Sequence, residues 1–373
     1  MPHDHPVTRA RTSAPIDRVA VAAFTVPTDG PESDGTFEWD KTTIVTVHVT
    51  AGDVTGLGYT YSDLSAGVLI EQLLAGVVAG RDAMDIESRH VDMVHAVRNL
   101  GRQGIAATAI SALDIALWDV KARLLDLPLV SLLGGARGSV PIYGSGGFTS
   151  YSTEQLMAQL GSWAGQGLRA VKMKIGRDPA ADRTRVHAAR QTIGDDVELF
   201  VDANGAYDRK LALAQARAFV DDDVRWFEEP VSSDDLSGLR LIRDRAPAGV
   251  DVAAGEYGYD VQYFRRMVDA GAVDVLQADA TRCCGVTGFL RAGALCDAAY
   301  LPLSAHTAPG VHVHLCCAVP RVRHLEYFHD HVRIEHLLFD GALAPVDGAL
   351  RPDRSRPGLG LELKWRDAER FAV

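Results

Sequence analysis

VRWFEEP, residues 224–230, runs an apolar, strand-like stretch into two adjacent carboxylates, Glu228 and Glu229, and stops at a proline. Val, Trp and Phe favour a pleated, buried surface, and proline has no N–H to give a sheet ladder, so the run ends there. One polar strand end means little, but the pattern recurs on both sides. VELFVDANG (197–205) closes on Asp202 and Asn204, and GVDVAAGE (249–256) closes on Glu256. Further out, VPIYGSGG (140–147), RAVKMKIG (169–176), AVDVLQAD (272–279), AYLPLSAH (299–306) and RVRHLEYF (321–328) bring the runs to eight. Helical patterning separates most of them, as in STEQLMAQLGSWAGQ (152–166) and DVQYFRRMVDAG (260–271). Strand–helix–strand repetition implies parallel pairing, and eight units predict an α/β fold, a (β/α)8 TIM-like barrel over residues 137–344. A doubly wound open sheet is the rival, but no G-x-G-x-x-G loop follows the first strand.

Residues 1–136 read differently. The alternation in TTIVTVHVTAG (42–52) predicts a small antiparallel sheet, and IAATAISALDIALWDVKARLLDLPL (105–129) predicts a long helix. This is an N-terminal α+β capping domain, which residues 345–373, too few to fold alone, are expected to complete. A chain of 373 residues, 47% hydrophobic and 23% charged, has ordinary globular composition. Its net charge of −11 disfavours a nucleic-acid surface. The cysteines, Cys283, Cys284, Cys296, Cys316 and Cys317, contain no C-x-x-C and read as reduced thiols. MPHDHPVTRARTSAP (1–15) lacks an apolar signal core, and no apolar run approaches the roughly 20 residues of a membrane span. The expected location is cytoplasmic.

In a barrel of this kind the site lies at the C-terminal ends of the strands. There the sequence places Lys172 and Lys174, then Asp202, Glu228, Glu256, Asp279, His306 and Glu326 on successive units. Asp202, Glu228 and Glu256, from three adjacent strands, can converge on one hard cation, Mg²⁺ or alternatively Mn²⁺; for any one of them alone, pairing with a barrel Arg or Lys is the competing explanation. Lys172 and Lys174 face the same side of a strand, so mutual repulsion is expected to lower the pKa of at least one and create a base. Asp279 can hold one nitrogen of His306 and present the other to the pocket. His312 and His314, in an apolar helical stretch, read as structural.

The ordered set K-x-K, D-x-N, E-E-P, G-E, Q-x-D and S-x-H resembles the enolase superfamily, in particular its mandelate racemase subgroup. SALDIALWDVKARLLDLPLVSLLGG (111–135) and DATRCCGVTGFLRAGAL (279–295) support the likeness, which covers nearly the whole chain from about Val19. The resemblance implies Mg²⁺ ligation by Asp202, Glu228 and Glu256, with Lys174 as a base and Lys172 as its partner on the substrate carboxylate. It also implies a His306/Asp279 dyad, an enolate contact from Glu326 and a substrate contact from Asn204. The family often has C-G-G where this chain has Cys283-Cys284-Gly285. By position and resemblance, Thr28–Lys41 and Gly56–Asp63 are expected specificity loops. Their polar residues Asp29, Glu32, Asp34, Glu38, Tyr59 and Tyr61 suit a polyhydroxylated substrate, with Tyr59 and Tyr61 as binding residues. The implied activity is dehydration of an acid sugar to a 2-keto-3-deoxy acid. Racemisation or epimerisation of a 2-hydroxy acid is the alternative, and a non-catalytic metal-binding barrel the second. The partner expected is a small carboxylate, with the chain itself a homo-oligomer, dimeric or octameric.

Overall fold

The computed structural model describes residues 13–373; most of the stretch read for a signal core lies outside them. Three antiparallel strands, β1 (Ile16–Ser33), β2 (Glu38–Ala51) and β3 (Val54–Tyr61), form the capping sheet. The helix Ile105–Leu124 packs across β3 and β2 and is buried along almost its whole length. That contact requires glycine on β3. A Cβ at Gly58 would stand 2.1 Å from the Ala112 carbonyl oxygen, and one at Gly56 2.4 Å from the Val120 nitrogen. Gly58→Val is therefore expected to destabilise the fold by about 1–3 kcal/mol through overpacking, read as a lower urea midpoint.

Eight parallel strands close the barrel: β4 (Val140–Gly146), β5 (Ala170–Lys174), β6 (Glu198–Asp202), β7 (Val224–Glu228), β8 (Asp251–Ala254), β9 (Val275–Ala278), β10 (Leu303–Ala305) and β11 (Val322–Phe328). Each pairs with the next in chain order, and β11 pairs back onto β4. All eight runs read from the sequence are these strands. Register stacks their side chains in layers. Lys174, Asp202 and Glu228 are partners across β5, β6 and β7, while Lys172, Phe200 and Trp226 form the layer beneath. Tyr143, Phe200 and Trp226 fill the barrel below the mouth, with the Phe200 and Trp226 rings stacked 5.3 Å apart. Such a plugged interior leaves only the mouth for chemistry.

The C-terminal segment runs back along the cap. The Leu359 N–H donates to buried Asp119 of the long helix at 2.6 Å, Arg123 donates to the Leu361 carbonyl at 2.8 Å, and the Val373 N–H reaches the Ala23 carbonyl on β1.

His312 and His314 lie buried on the helix Pro309–Ala318. His312 accepts from the Ala280 N–H at 2.8 Å, and His314 accepts from the Val130 N–H at 3.3 Å with its other nitrogen against the Leu359 carbonyl. Both serve the packing. Burial pushes the His314 pKa down from 6.5 to about 4. A histidine held neutral in this way costs nothing above its unfolded pKa, and stability is lost as pH falls below it, because the unfolded chain takes up the proton first. His314 alone is expected to remove roughly 3 kcal/mol between pH 7 and pH 4. The fall in urea midpoint over that interval should be smaller in His314→Gln.

Candidate active site

The strand ends deliver their polar side chains to one place because successive parallel strands stand nearly in register. Asp202 and Glu228 are the last residues of β6 and β7, and Glu256 follows β8 by one turn residue, Gly255. Ligand atoms of Asp202, Glu228 and Glu256 all lie within 4.8 Å of one another, and all three residues are buried. Burial, and then Asp202 beside it, pushes the Glu228 carboxyl up to about 8. Glu256 Oε2 is buried without a hydrogen-bond partner, and His306 Nε2 stands 3.4 Å from it. Three converging carboxylates with an unsatisfied buried oxygen, and no sulfur among them, fit a hard divalent cation such as Mg²⁺.

Lys172 and Lys174 stand against this cluster. Lys174 Nζ donates to Asp202 Oδ2 at 2.5 Å; Lys172 Nζ donates to Glu228 Oε1 at 2.5 Å and lies 2.8 Å from Glu326 Oε1. The expected lowering of a lysine pKa is corrected here. Burial does oppose the charge on each, but the carboxylates, Glu228 foremost for Lys172 and Asp202 for Lys174, outweigh both burial and mutual repulsion and raise both. Lys172 is fully buried beneath the mouth, and its ammonium lies 5.4 Å from the Tyr143 ring. Glu326 is held by Ser145 Oγ at 2.6 Å and the Thr307 N–H at 3.2 Å. Burial would raise its pKa, but Lys172 overrides it and keeps the carboxyl well below the usual range.

On the other side, Asp279 Oδ2 lies 2.8 Å from His306 Nδ1, while the Thr281 N–H and hydroxyl, each at 2.7 Å, fix its second oxygen. His306 Nε2 is thereby turned toward Glu256 and Glu326. Burial would lower the His306 pKa, yet Glu256, Glu326 and the Asp279 bond raise it overall.

A cavity of about 310 Å³ opens above these groups. Lys174, Asn204, Glu256, His306, Glu326 and Tyr61 line it, whereas Lys172, Asp202, Glu228 and Asp279 support it from below or behind. Asn204 has a left-handed backbone, φ 46°, and its buried side-chain Oδ1 has no partner. Tyr59 does not reach the cavity. It is fully buried, and its hydroxyl donates to Glu335 at 2.5 Å, so its assignment to substrate binding is corrected to a packing role. The specificity loop also differs from expectation. Its ends are strand, with residues 28–33 on β1 and 38–41 on β2, just as residues 56–61 lie on β3. Asp34, which accepts from the Thr36 and Phe37 N–H groups, lines the cavity together with Phe37, Trp39 and Lys41, whereas Glu38 pairs with Arg177 at 2.8 Å and Glu32 is buried.

The sequence reading missed Arg282, which lines the cavity and lies 3.3 Å from Glu256 and 3.7 Å from Asp279. It also missed Trp226, whose indole N–H donates to Glu228 Oε2 at 2.8 Å. The available signals were the position of Arg282, three residues beyond Asp279, and that of Trp226, two residues before Glu228 on the same strand face.

Residues 155–368 match the family described as enolase C-terminal domain-like, and residues 19–134 match the mandelate racemase / muconate lactonizing enzyme N-terminal domain. The chain belongs to the mandelate racemase subgroup of the enolase superfamily. A 3,6-anhydro-alpha-L-galactonate cycloisomerase from Streptomyces coelicolor is 34% identical to this superfamily member, over 96% of this chain and 99% of the relative. An L-talarate/galactarate dehydratase from Salmonella typhimurium is 33% identical over 83% and 77% respectively. Among solved structures, a mandelate racemase/muconate lactonizing enzyme-like protein from Rubrobacter xylanophilus superposes with a TM-score of 0.94 at 54% identity, covering 96% of this chain and all of that one. A racemase from Streptomyces coelicolor A3(2) with bound magnesium superposes at 0.91 and 33% identity, with 96% and 100% coverage. Relatives of this superfamily member are thus acid sugar dehydratases and cycloisomerases, and structural neighbours carry magnesium. Among the described residues, no helix is long and apolar enough to cross a membrane.

Proposed function

We propose that the chain removes the proton α to the carboxylate of an acid sugar and expels the β-hydroxyl as water, giving a 2-keto-3-deoxy acid. The observation that carries this is the His306 Nδ1–Asp279 Oδ2 contact of 2.8 Å, which aims Nε2 into the same cavity that Lys174 enters from β5. Two proton-handling groups on different walls suit a reaction in which one group takes a proton and the other gives one. Lys174 Nζ receives the α-proton, which requires it to release the Asp202 bond and lose its own proton first. Glu326, fixed by Ser145 and Thr307, and Asn204 Oδ1 offer polar contacts to the substrate from the cavity wall. Lys172 adds positive charge from beneath without entering the cavity. His306 Nε2–H protonates the departing hydroxyl, and the resulting enol tautomerises to the ketone. When bound by Asp202, Glu228 and Glu256, Mg²⁺ supplies a Lewis acid that offsets the second negative charge gained by the substrate carboxylate.

Cycloisomerisation is the second reading, favoured by the 34% identity to a cycloisomerase over almost the full length of both chains. It draws on the same two proton-handling groups; racemisation of a 2-hydroxy acid does so as well. Incubation with Mg²⁺ in D₂O against pooled acid sugars, anhydro-sugar acids and 2-hydroxy acids, followed by proton NMR, separates these outcomes. New 2-keto-3-deoxy signals are expected. Isomerised product without loss of water would replace dehydration by cycloisomerisation, and α-deuteration alone would replace it by racemisation.

A further inference from the structure

Among the described residues, two clusters bring three metal-capable ligand atoms within 4.8 Å of one another; one is Asp202, Glu228 and Glu256, and the other is Asp29, Glu32 and His329. We propose that Asp29, Glu32 and His329 form a second divalent-cation site that clasps the capping sheet to the barrel beside the cavity. Asp29 and Glu32 lie on the distal part of β1, where the register with β2 breaks between Pro27 and Glu32. His329 opens the helix His329–Leu338 directly after β11, the strand that carries Glu326. The cluster therefore joins the two parts of the molecule.

Glu32 supplies an independent sign that the cluster can take a cation. Its side chain is fully buried; Oε2 accepts from Trp39 Nε1 at 2.8 Å, and Oε1 has no partner. A buried carboxylate with one empty oxygen is costly unless it is neutralised or ligates a metal. Its neighbours neutralise it only in part. Asp330 and Asp29 add negative charge, and the nearby guanidinium, Arg333, donates to Asp330 at 2.5 Å and to the Pro27 carbonyl at 2.7 Å. His329 Nε2 lies 3.0 Å from Asp29 Oδ2, so the imidazole and the exposed carboxylate already converge on Glu32.

Two carboxylates and one imidazole favour a first-row ion such as Zn²⁺ over Mg²⁺ or Ca²⁺, and three protein ligands leave room for water. The clasp would hold the turn between β1 and β2, where Phe37 and Trp39 line the cavity, since Trp39 is bonded to Glu32 itself. The catalytic cluster, all oxygen, would keep its preference for Mg²⁺.

Calorimetric titration of Zn²⁺ into the full chain, with Mg²⁺ in excess, tests this without any turnover. Wild type and Glu256→Gln are each expected to take up a zinc ion that Mg²⁺ does not displace. His329→Ala and Asp29→Asn, both at accessible positions, are expected to weaken that uptake by at least about tenfold, and zinc anomalous scattering should lie between Asp29, Glu32 and His329. No such uptake by wild type, uptake unchanged in both variants, or anomalous signal confined to Asp202, Glu228 and Glu256 would each overturn the site.

Discussion

Lys174→Ala is expected to lose about 10²–10⁴-fold in kcat on the acid sugar that the wild type turns over, the usual range for removal of a positioned base. The same variant should lose exchange of the α-proton with D₂O. Its ammonium also pairs with Asp202, so a lost charge and a lost base must be told apart. Lys174→Arg does this, because arginine keeps a cation beside Asp202 but does not deprotonate near neutral pH. An equal loss in both variants identifies the base. Recovery of activity in Lys174→Arg would mean that Lys174 acts only as an ion-pair partner, and the assignment would fall.

His306→Asn should separate the two halves of the reaction. Elimination is expected to drop by about 10²–10⁴-fold, while Lys174 continues to exchange the α-proton, so substrate recovered from D₂O carries deuterium without losing water. Asp279→Asn should behave similarly in kind but less severely, because the imidazole remains while its orientation and tautomer are released. Elimination at the wild-type rate in His306→Asn would remove this residue from the mechanism and with it the dehydratase reading.

The barrel was legible because eight strand-like runs alternate with helical patterning, and seven of the eight carry an ionisable residue at or near their ends, as a parallel sheet with its site at the strand ends produces. The metal-type carboxylates were legible for the same reason: Asp202 and Glu228 end consecutive strands, and register alone sets them side by side. Tyr59 was misread because the stretch Gly56–Asp63 was taken as a specificity loop, whereas residues 56–61 belong to β3, and position alone does not give the depth of a strand residue. The inner residue lies under Glu335, while the outer one reaches the cavity, its ring stacked 3.4 Å from His331. The lysine pKa failed for a related reason. K-x-K spacing reports the repulsion within the pair, whereas the deciding carboxylates sit on β6, β7 and β11. Likewise, acidic residues of the same stretch looked like ligands for hydroxyl groups, yet only Asp34 lines the cavity; Glu38 pairs with Arg177 and Glu32 is buried.

The return of the C-terminal segment to the cap sets a timetable for synthesis. Asp119 lies in the long helix made before any barrel strand, yet one of its backbone partners, Leu359, is made after the last of them. During translation the cap helix must therefore wait, with that buried carboxylate incompletely satisfied, until the whole barrel has left the ribosome. Cap and barrel are thus bound to mature together, and a nascent chain halted after β11 should expose the cap to chaperones even with every residue of the proposed active site already made.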